Sequence, residues 1–174
     1  SHDTFCTALT YDTENKPAGI YIVKRELFES LNPEKHTDMT EDIIPEAVKS
    51  GEAVLLDGKG YYKRITTPEA FLDCQRHMLY NENMSQRLTE NNFSGAAIGE
   101  PVYIGENVSV MSGSVIESGS VIDNNAVVKG GKVNGYVGIG SVVSERCDIN
   151  SAVVCRGAVL DSGVKCGENS VIGE

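Results

Sequence analysis

The second half of the chain carries an aliphatic residue at every sixth position. Within "IGEPVYIGENVSVMSGSVIESGSVIDNNAVVKGG", residues 98–131, these positions are Ile98, Ile104, Val110, Ile116, Ile122 and Val128. An α-helix repeats its faces about every 3.6 residues and a strand about every 2, so neither element explains the period. Three successive hexads would close a triangular coil of about eighteen residues, with one short strand per face. The pattern therefore predicts stacked parallel coils with the aliphatic residues inside.

Small or β-branched residues occupy the fifth place of each hexad, where a narrow interior favours them: Val102, Val108, Ser114, Ser120 and Ala126. The period continues through Val137, Val143, Ile149, Val154, Leu160, Cys166 and Ile172. It breaks twice. The nine-residue step from Val128 to Val137 predicts an extra three-residue bulge or loop in "KVNGYVG". The five-residue step from Ile149 to Val154 predicts a one-residue deletion.

The first half of the chain has the pattern of a mixed α/β fold. Strands are predicted at 4–11, 18–24, 52–56 and 61–65, the last two forming a hairpin around "DGKG". A short helix is predicted at 25–31. A second begins with a capping box between Asp38 and Glu41 and ends at Gly51, with Ile43, Ile44, Ala47 and Val48 forming its apolar face.

A third helix is predicted in "TPEAFLDCQRHMLYN". Thr67 is its expected N-cap, Pro68 occupies the first helical position and Glu69 lies at the positive end of the helix. Its apolar face is expected to consist of Phe71, Gln75, Met78 and Leu79. The polar stretch 81–95 lacks a clean period and is interpreted as a linker.

Composition excludes several classes of partner. The chain has 174 residues and a net charge of −10, and no basic run suits nucleic acid. No apolar stretch is long enough to span a membrane, and no signal peptide is expected from these residues. Five scattered cysteines without metal-ligand spacing indicate free thiols in a reducing cytosol, so a cytoplasmic location is expected. The start "SHDTF" suggests a trimmed fragment, and the chain stops part-way round a coil.

Histidine is absent where the coils would need it for chemistry. The three histidines are at positions 2, 36 and 77, whereas acyl transfer needs an imidazole base and a zinc site needs imidazole ligands. The six-residue repeat resembles that of hexapeptide-repeat β-helices, which often belong to acyltransferases and in some cases bind zinc. Without histidine, the coils are interpreted as scaffold, and a hexapeptide acyltransferase is the least favoured function. His77 and Cys166 are both expected to have structural roles.

The order of motifs resembles a known enzyme family. "AGIYIVKRELFESL", "DIIPEAVKSGE" and "GYYKRITTPEAFLDCQRHML", followed by hexapeptide coils, are similar to the C-terminal part of a sugar-1-phosphate nucleotidyltransferase of the glucose-1-phosphate or mannose-1-phosphate type. The resemblance covers about residues 14–174. It implies a left-handed β-helix at 96–174, a linker at 81–95, and the rear of a Rossmann-like α/β domain at 1–80.

The resemblance also implies a reaction for the full-length parent. A nucleoside triphosphate and a sugar 1-phosphate would give a nucleotide sugar and pyrophosphate, with Mg²⁺ neutralising phosphate charge. The family's Gly-rich nucleotide loop has no counterpart here, so no catalytic residue, metal or cofactor is expected in this chain alone. The β-helix is expected to support homo-oligomerisation or regulation.

Few site residues transfer from the family. "ENKPAGIY" resembles a shortened form of the family's sugar-contacting motif. The resemblance implies Glu14, Lys16, Gly19 and Tyr21 as substrate-binding residues. Alternatively, the segment is a simple turn between two strands. Arg64 stands where the family has a metal-binding Asp, and a guanidinium cannot ligate Mg²⁺. This departure favours a non-catalytic regulatory or assembly subunit of the same superfamily as the alternative function.

Overall fold

The computed structural model of the protein describes residues 6–10, 17–57, 60–87, 93 and 95–173. The chain divides into two units, Ser1–Arg64 and Ile65–Glu174. Among the described residues, no helix combines the length and the apolar character needed to cross a bilayer.

The first unit contains a three-stranded sheet of mixed direction. Strand β1 (Cys6–Thr10) lies between β2 (Pro17–Val23), which is antiparallel to it, and β3 (Ala53–Asp57), which is parallel. These strands match three of the four predicted ones. The predicted fourth strand and its hairpin are wrong: residues 61–66 form neither strand nor helix. Tyr61 and Ile65 are 41% and 52% exposed, so the apolar alternation there has no core to face.

Two short helices belong to this unit, α1 (Arg25–Ser30) and α2 (Ile44–Lys49). A π-helical turn, Met39–Ile43, precedes α2. Asp38 caps this turn, because its Oδ1 accepts from the backbone N–H groups of Thr40 and Glu41 at 2.7 and 2.9 Å. The reciprocal bond comes from Asp42, whose Oδ2 accepts from the Asp38 N–H at 2.8 Å. The predicted partner for this bond was Glu41. Because a π-helical turn is wider than an α-helical turn, the side chain one residue later, Asp42, reaches the cap instead.

Helix α2 buries Ile44 and Ala47 against Tyr21, Val23 and Ala53. Ile43 is buried as well, as predicted, but Val48 is 48% exposed. A helix of six residues packs only one narrow edge on the sheet, and Val48 lies beside that edge. Gly51 follows the helix with φ of +76°, a conformation that glycine adopts without a steric cost.

The second unit begins with helix α3 (Pro68–Asn81). The Thr67 hydroxyl accepts from the Ala70 N–H at 3.1 Å, and Pro68 begins the helix, as predicted. Leu79 is buried in the predicted apolar face, but the face is wider than predicted because Ala70 and Leu72 are buried too.

The remainder of this unit is a parallel β-solenoid of about four turns across residues 97–172. Its strands are β4 (Gln86–Arg87), β5 (Ala97–Ile98), β6 (Tyr103–Ile104), β7 (Ser109–Val110), β8 (Val115–Ile116), β9 (Val121–Ile122), β10 (Val127–Val128), β11 (Lys132–Val137), β12 (Val142–Val143), β13 (Asp148–Val154), β14 (Val159–Leu160), β15 (Lys165–Cys166) and β16 (Val171–Ile172). Every pairing among them is parallel, which is the arrangement that the six-residue period predicts.

The strands form three faces. Face 1 stacks β5, β8, the first half of β11, the first half of β13, and β15. Face 2 stacks β4, β6, β9, the second half of β11, the second half of β13, and β16. Face 3 stacks β7, β10, β12 and β14. Strand β4 lies in the stretch interpreted as a linker and adds a rung to face 2.

The residues predicted to point inward do so. Ile104, Val110, Ile122, Val128, Val137, Val143, Ile149 and Val154 have no exposed surface, while Ile116, Leu160 and Cys166 are 1%, 2% and 6% exposed. Ile98 and Ile172 are partly buried against the same core. The hydroxyls of Ser114, Ser120 and Ser141 donate to carbonyls of the next coil, at 3.2, 3.1 and 2.7 Å. Small polar residues therefore fit this interior without an unpaired donor.

The first break in the period is a shortened coil, and the predicted three-residue bulge is wrong. Val133, fully buried, is an inward residue that the six-residue count passed over. The inward positions run Val128, Val133, Val137, so two faces are shorter than a hexad. In the next coil the step from Ile149 to Val154 is shorter by one residue, as predicted. There, β11 and β13 change register between Asn134 and Gly135.

Gly135 forms the tightest corner of the shortened coil. Its φ is +147°, and a Cβ there would collide with the backbone oxygen of Ala152 and approach the Ala152 nitrogen to 3.0 Å. We expect Gly135→Ala to lower the free energy of unfolding by about 2–3 kcal/mol, measured by chemical denaturation. Gly140→Ala is the matched control. Gly140 has φ of +67° with open space around the Cβ position, so only about 1 kcal/mol should be lost. Equal losses for the two variants would contradict the close packing at this corner.

Candidate functional site

The residues implied as sugar-phosphate ligands are only partly within the described chain. Glu14 and Lys16 lie outside the described residues, so their roles stay predictions. Gly19 lies on β2, where the pairing with β1 changes register between Ala8 and Thr10, and its φ of +78° suits this bulge. The hydroxyl of Tyr21 lies 2.8 Å from the Thr40 hydroxyl oxygen, and its ring packs beside α2. Tyr21 thus has structural partners in the first unit, and Gly19 has the backbone conformation that a bulge requires.

Arg64 is exposed and follows β3 in a segment without regular structure. A Mg²⁺ ion prefers carboxylate, carbonyl and water oxygens, which a guanidinium does not supply. Among the described residues, no group of three or more His, Cys, Asp or Glu side chains could hold a metal ion. At position 64, the side chain therefore offers no oxygen ligand for the Mg²⁺ ion that the resemblance implies for the parent enzyme.

A groove of about 480 Å³ in the first unit is lined by Leu27, Thr37, Asp42, Ile43, Glu46, Ala47, Ser50 and Glu52. Its three carboxylates already have partners. Asp42 caps the π-helical turn, Glu46 Oε1 pairs with Lys49 Nζ at 2.8 Å, and Glu52 Oε2 accepts from the Ser50 hydroxyl at 2.9 Å. A groove with this negative charge disfavours a phosphate ligand.

The most specific polar contacts of the second unit join α3 to the solenoid. Gln75 Nε2 donates to the carbonyl oxygens of Gly119 and Gly135, at 2.7 and 3.2 Å. These two carbonyls belong to successive coils, so one side-chain amide ties two rungs to the helix. The bonds also fix the amide orientation, because only the –NH₂ end can donate. We name this contact region of α3 and the solenoid the helix seam.

Arg76 extends the helix seam to the following coil. Its Nη2 donates to the Ser151 hydroxyl at 3.1 Å and approaches Asn134 Oδ1 at 3.5 Å. Asn134 and Ser151 occupy the corners where the six-residue period is shortened. A Cβ on Gly119 would lie 3.4 Å from both Arg76 Cγ and Tyr80 Cε2. The irregular corners and the small residues thus lie where the helix packs, a relationship that sequence spacing alone did not reveal.

Tyr136 is the aromatic anchor of the helix seam. The Phe71 ring meets it edge-on, with ring centroids 5.2 Å apart, and the Tyr136 hydroxyl donates to Asp123 Oδ2 at 2.9 Å. Burial, followed by the hydrogen bond to Asp123, raises the pKa of Tyr136 from 10.0 to about 12. The phenol therefore stays neutral and acts as a hydrogen-bond donor at physiological pH.

The remaining candidate nucleophiles and bases have structural surroundings. His77 Nδ1 lies 3.2 Å from Asn81 Nδ2, and His77 Nε2 lies 3.4 Å from Glu82 Oε1, at the end of α3. Cys74, Cys147, Cys155 and Cys166 are free thiols. Burial raises the pKa of Cys166, which disfavours the reactive thiolate. The structural interpretation of Cys166 agrees with its position inside the coil.

The apolar side of α3 also leaves a small cavity against face 2. It measures about 190 Å³ and is lined by Gln75, Met78, Leu79, Met84, Tyr103 and Val121. Its surface is almost wholly hydrophobic, so it offers no group for acid–base or nucleophilic chemistry.

No protein-family model and no curated protein matches the chain.

We expect Gln75→Met to lower the free energy of unfolding by about 1–3 kcal/mol, because two carbonyls of the helix seam lose their donor. Chemical denaturation measures the change. Met78→Leu is the control on the same side of α3, and this apolar replacement should cost less than about 1.5 kcal/mol. A Gln75→Met variant as stable as the wild type would show that the amide does not hold the helix in place.

The raised pKa of Tyr136 predicts a loss of stability in alkali. A group that ionises less readily when folded contributes its full stabilisation below the unfolded pKa of about 10 and loses it as pH rises through about 12. Denaturation midpoints of the wild type and Tyr136→Phe should therefore converge over this range, because only the wild type loses a neutral, hydrogen-bonded phenol there. Parallel pH profiles for the two proteins would contradict the assignment.

Proposed function

We propose that this chain is the C-terminal part of a sugar-1-phosphate nucleotidyltransferase. In the parent enzyme, an oxygen of the sugar 1-phosphate attacks the α-phosphorus of a nucleoside triphosphate, and pyrophosphate leaves. The proposal includes a left-handed solenoid and a Rossmann-like domain whose last strands and helices are the first unit. The sugar and the base are left open.

The order of elements along the chain is the observation that carries this proposal. A sheet with a parallel pair, β1 and β3, comes first; a helix beginning with Thr67 and Pro68 follows; and a solenoid of hexapeptide coils comes last. The sequence motifs that resemble the nucleotidyltransferase family occur in this same order. A parallel strand pair is typical of sheets in α/β enzymes.

We propose that the solenoid assembles or regulates the enzyme and takes no part in the chemistry. Its interior consists of aliphatic side chains and hydrogen-bonded serines, and no histidine occurs between residues 98 and 174. A hexapeptide acyltransferase would need an imidazole base on these coils. An acyltransferase function is therefore disfavoured unless a histidine from another part of the protein reaches the coils.

Arg64 supports the second candidate, a non-catalytic regulatory or assembly subunit of the same superfamily. It replaces the metal-binding Asp of the family motif, and a guanidinium supplies no oxygen ligand for Mg²⁺. A regulatory subunit would keep the fold and the partner contacts while losing the metal ligands.

Pyrophosphate release by the full-length parent separates these candidates. We expect release from one pairing of a nucleoside triphosphate with a sugar 1-phosphate when Mg²⁺ is added. Absence of release with every pairing would favour the regulatory subunit, and turnover of an acyl-CoA by this chain alone would favour the acyltransferase.

Lys16 gives a more local test of the sugar-phosphate site. In the parent, we expect Lys16→Ala to raise KM for the sugar 1-phosphate about tenfold with little change in kcat, because a lysine binds phosphate as a point charge in ground and transition states alike. Lys35→Ala is the control, since Lys35 is exposed and lies outside the proposed motif. Equal effects of the two substitutions would exclude Lys16 from the site.

A further inference from the structure

The three faces of the solenoid differ in what their outward side chains meet. Face 1 is mixed: Val115, which is 40% exposed, is followed on neighbouring rungs by Lys132, Asp148 and Lys165. Lys132 Nζ pairs with Glu117 Oε1 at 2.7 Å. Face 2 receives α3, which contacts Tyr103, Val121 and Tyr136. Face 3 presents Ser109 on its first rung and Val127, Val142 and Val159 on the next three. Val159 is 67% exposed, and Val127 and Val142 are partly exposed. Face 3 is therefore the aliphatic face that α3 does not cover.

Two charged residues flank the valines of face 3. The backbone N–H groups of Lys129 and Ser144 donate to Val143 and Leu160 of the following coils, so Lys129, Ser144 and Asp161 form a second column beside the valines. Lys129 lies one rung before Ser144, and Asp161 lies one rung after it. Among the described residues neither charged side chain has an ion-pair partner.

This arrangement is self-complementary about the third rung. A two-fold axis that runs along the strand direction at Val142 reverses the order of the rungs and preserves positions along each strand. It places Val142 against its own copy and Val127 against Val159 of the second chain. It also brings Lys129 opposite Asp161 of that chain, twice. A symmetric dimer requires this kind of matching, in which each residue and its contact exchange roles.

We propose that face 3 is the interface of a two-fold symmetric dimer with a second copy of this chain, its solenoids antiparallel along their stacking direction. The inference rests on the assembly role proposed above and names its surface and partner. The valines supply apolar burial, and the Lys129–Asp161 pairs set the rung register. The axis at Val142 superposes three rungs of the two faces, a height of roughly 15 Å, which is smaller than a standard interface, so we expect dissociation in the micromolar range or weaker.

Charge reversal tests the pairing directly. Sedimentation velocity at low salt, across the micromolar range and above it, should show a monomer–dimer equilibrium for the wild-type chain. Lys129→Asp and Asp161→Lys should each weaken dimerisation on the order of 100-fold, because like charges then meet at both ends of the interface. The double variant restores opposite charges and should recover nearly wild-type dimerisation. Lys165→Glu, an equivalent reversal on face 1, is the control and should leave the equilibrium unchanged.

A short bifunctional maleimide tests the position of the axis. Val142→Cys should crosslink into a covalent dimer because residue 142 faces its own copy. Val127→Cys should crosslink poorly, since residue 127 faces residue 159, and the Val127→Cys/Val159→Cys double variant should crosslink well. The wild-type chain reports the background from its own cysteines. Circular dichroism checks that each variant is folded.

Several results would overturn the proposal. These are a wild-type chain that stays monomeric throughout the micromolar range and above it, a dimer that survives both single reversals, a double reversal that fails to restore association, or a dimer that the face 1 control disrupts. None of these measurements involves nucleotide or sugar. Failure of the dimer therefore leaves the pyrophosphate assay untouched, and a negative assay leaves the dimer test intact.

Discussion

Each coil of the solenoid buries its inward side chains only by stacking on the next coil, and this constraint governs the second unit. One aliphatic residue per face fills a narrow triangular interior, and parallel backbone hydrogen bonds join the rungs. Large rings do not fit, so Tyr103 and Tyr136 point outward towards the helix. Ser120 can be buried in this interior because its hydroxyl donates to the Val133 carbonyl of the following coil.

The departures from the period lie where helix α3 packs on the solenoid. The shortened corners at Asn134–Gly135 and Ser151 present carbonyl and hydroxyl groups to Gln75 and Arg76. The solenoid is therefore irregular at the corner between faces 1 and 2, where the helix contacts it, carries charged side chains on face 1 and leaves aliphatic side chains on face 3.

Sequence reasoning succeeded where one interaction dominates and failed where two compete. The inward aliphatic positions from Ile104 to Cys166 followed from the period because each has a single possible environment. Val133 was missed since a fixed count of six cannot register a corner shortened by close packing between Gly135 and Ala152. Asp42 replaced Glu41 at the cap because a π turn has a different reach from an α turn. The seam contact of Gln75 depends on distant carbonyls, which no local pattern encodes.

Helix α3 changes how the solenoid resists opening. In a linear stack, each rung depends on its immediate neighbours, so disruption can begin locally and spread one rung at a time. Gln75 and Arg76 bridge three successive rungs from outside the stack, so these rungs separate only if the helix also detaches. We therefore expect helix α3 and these three rungs to unfold together as one cooperative unit.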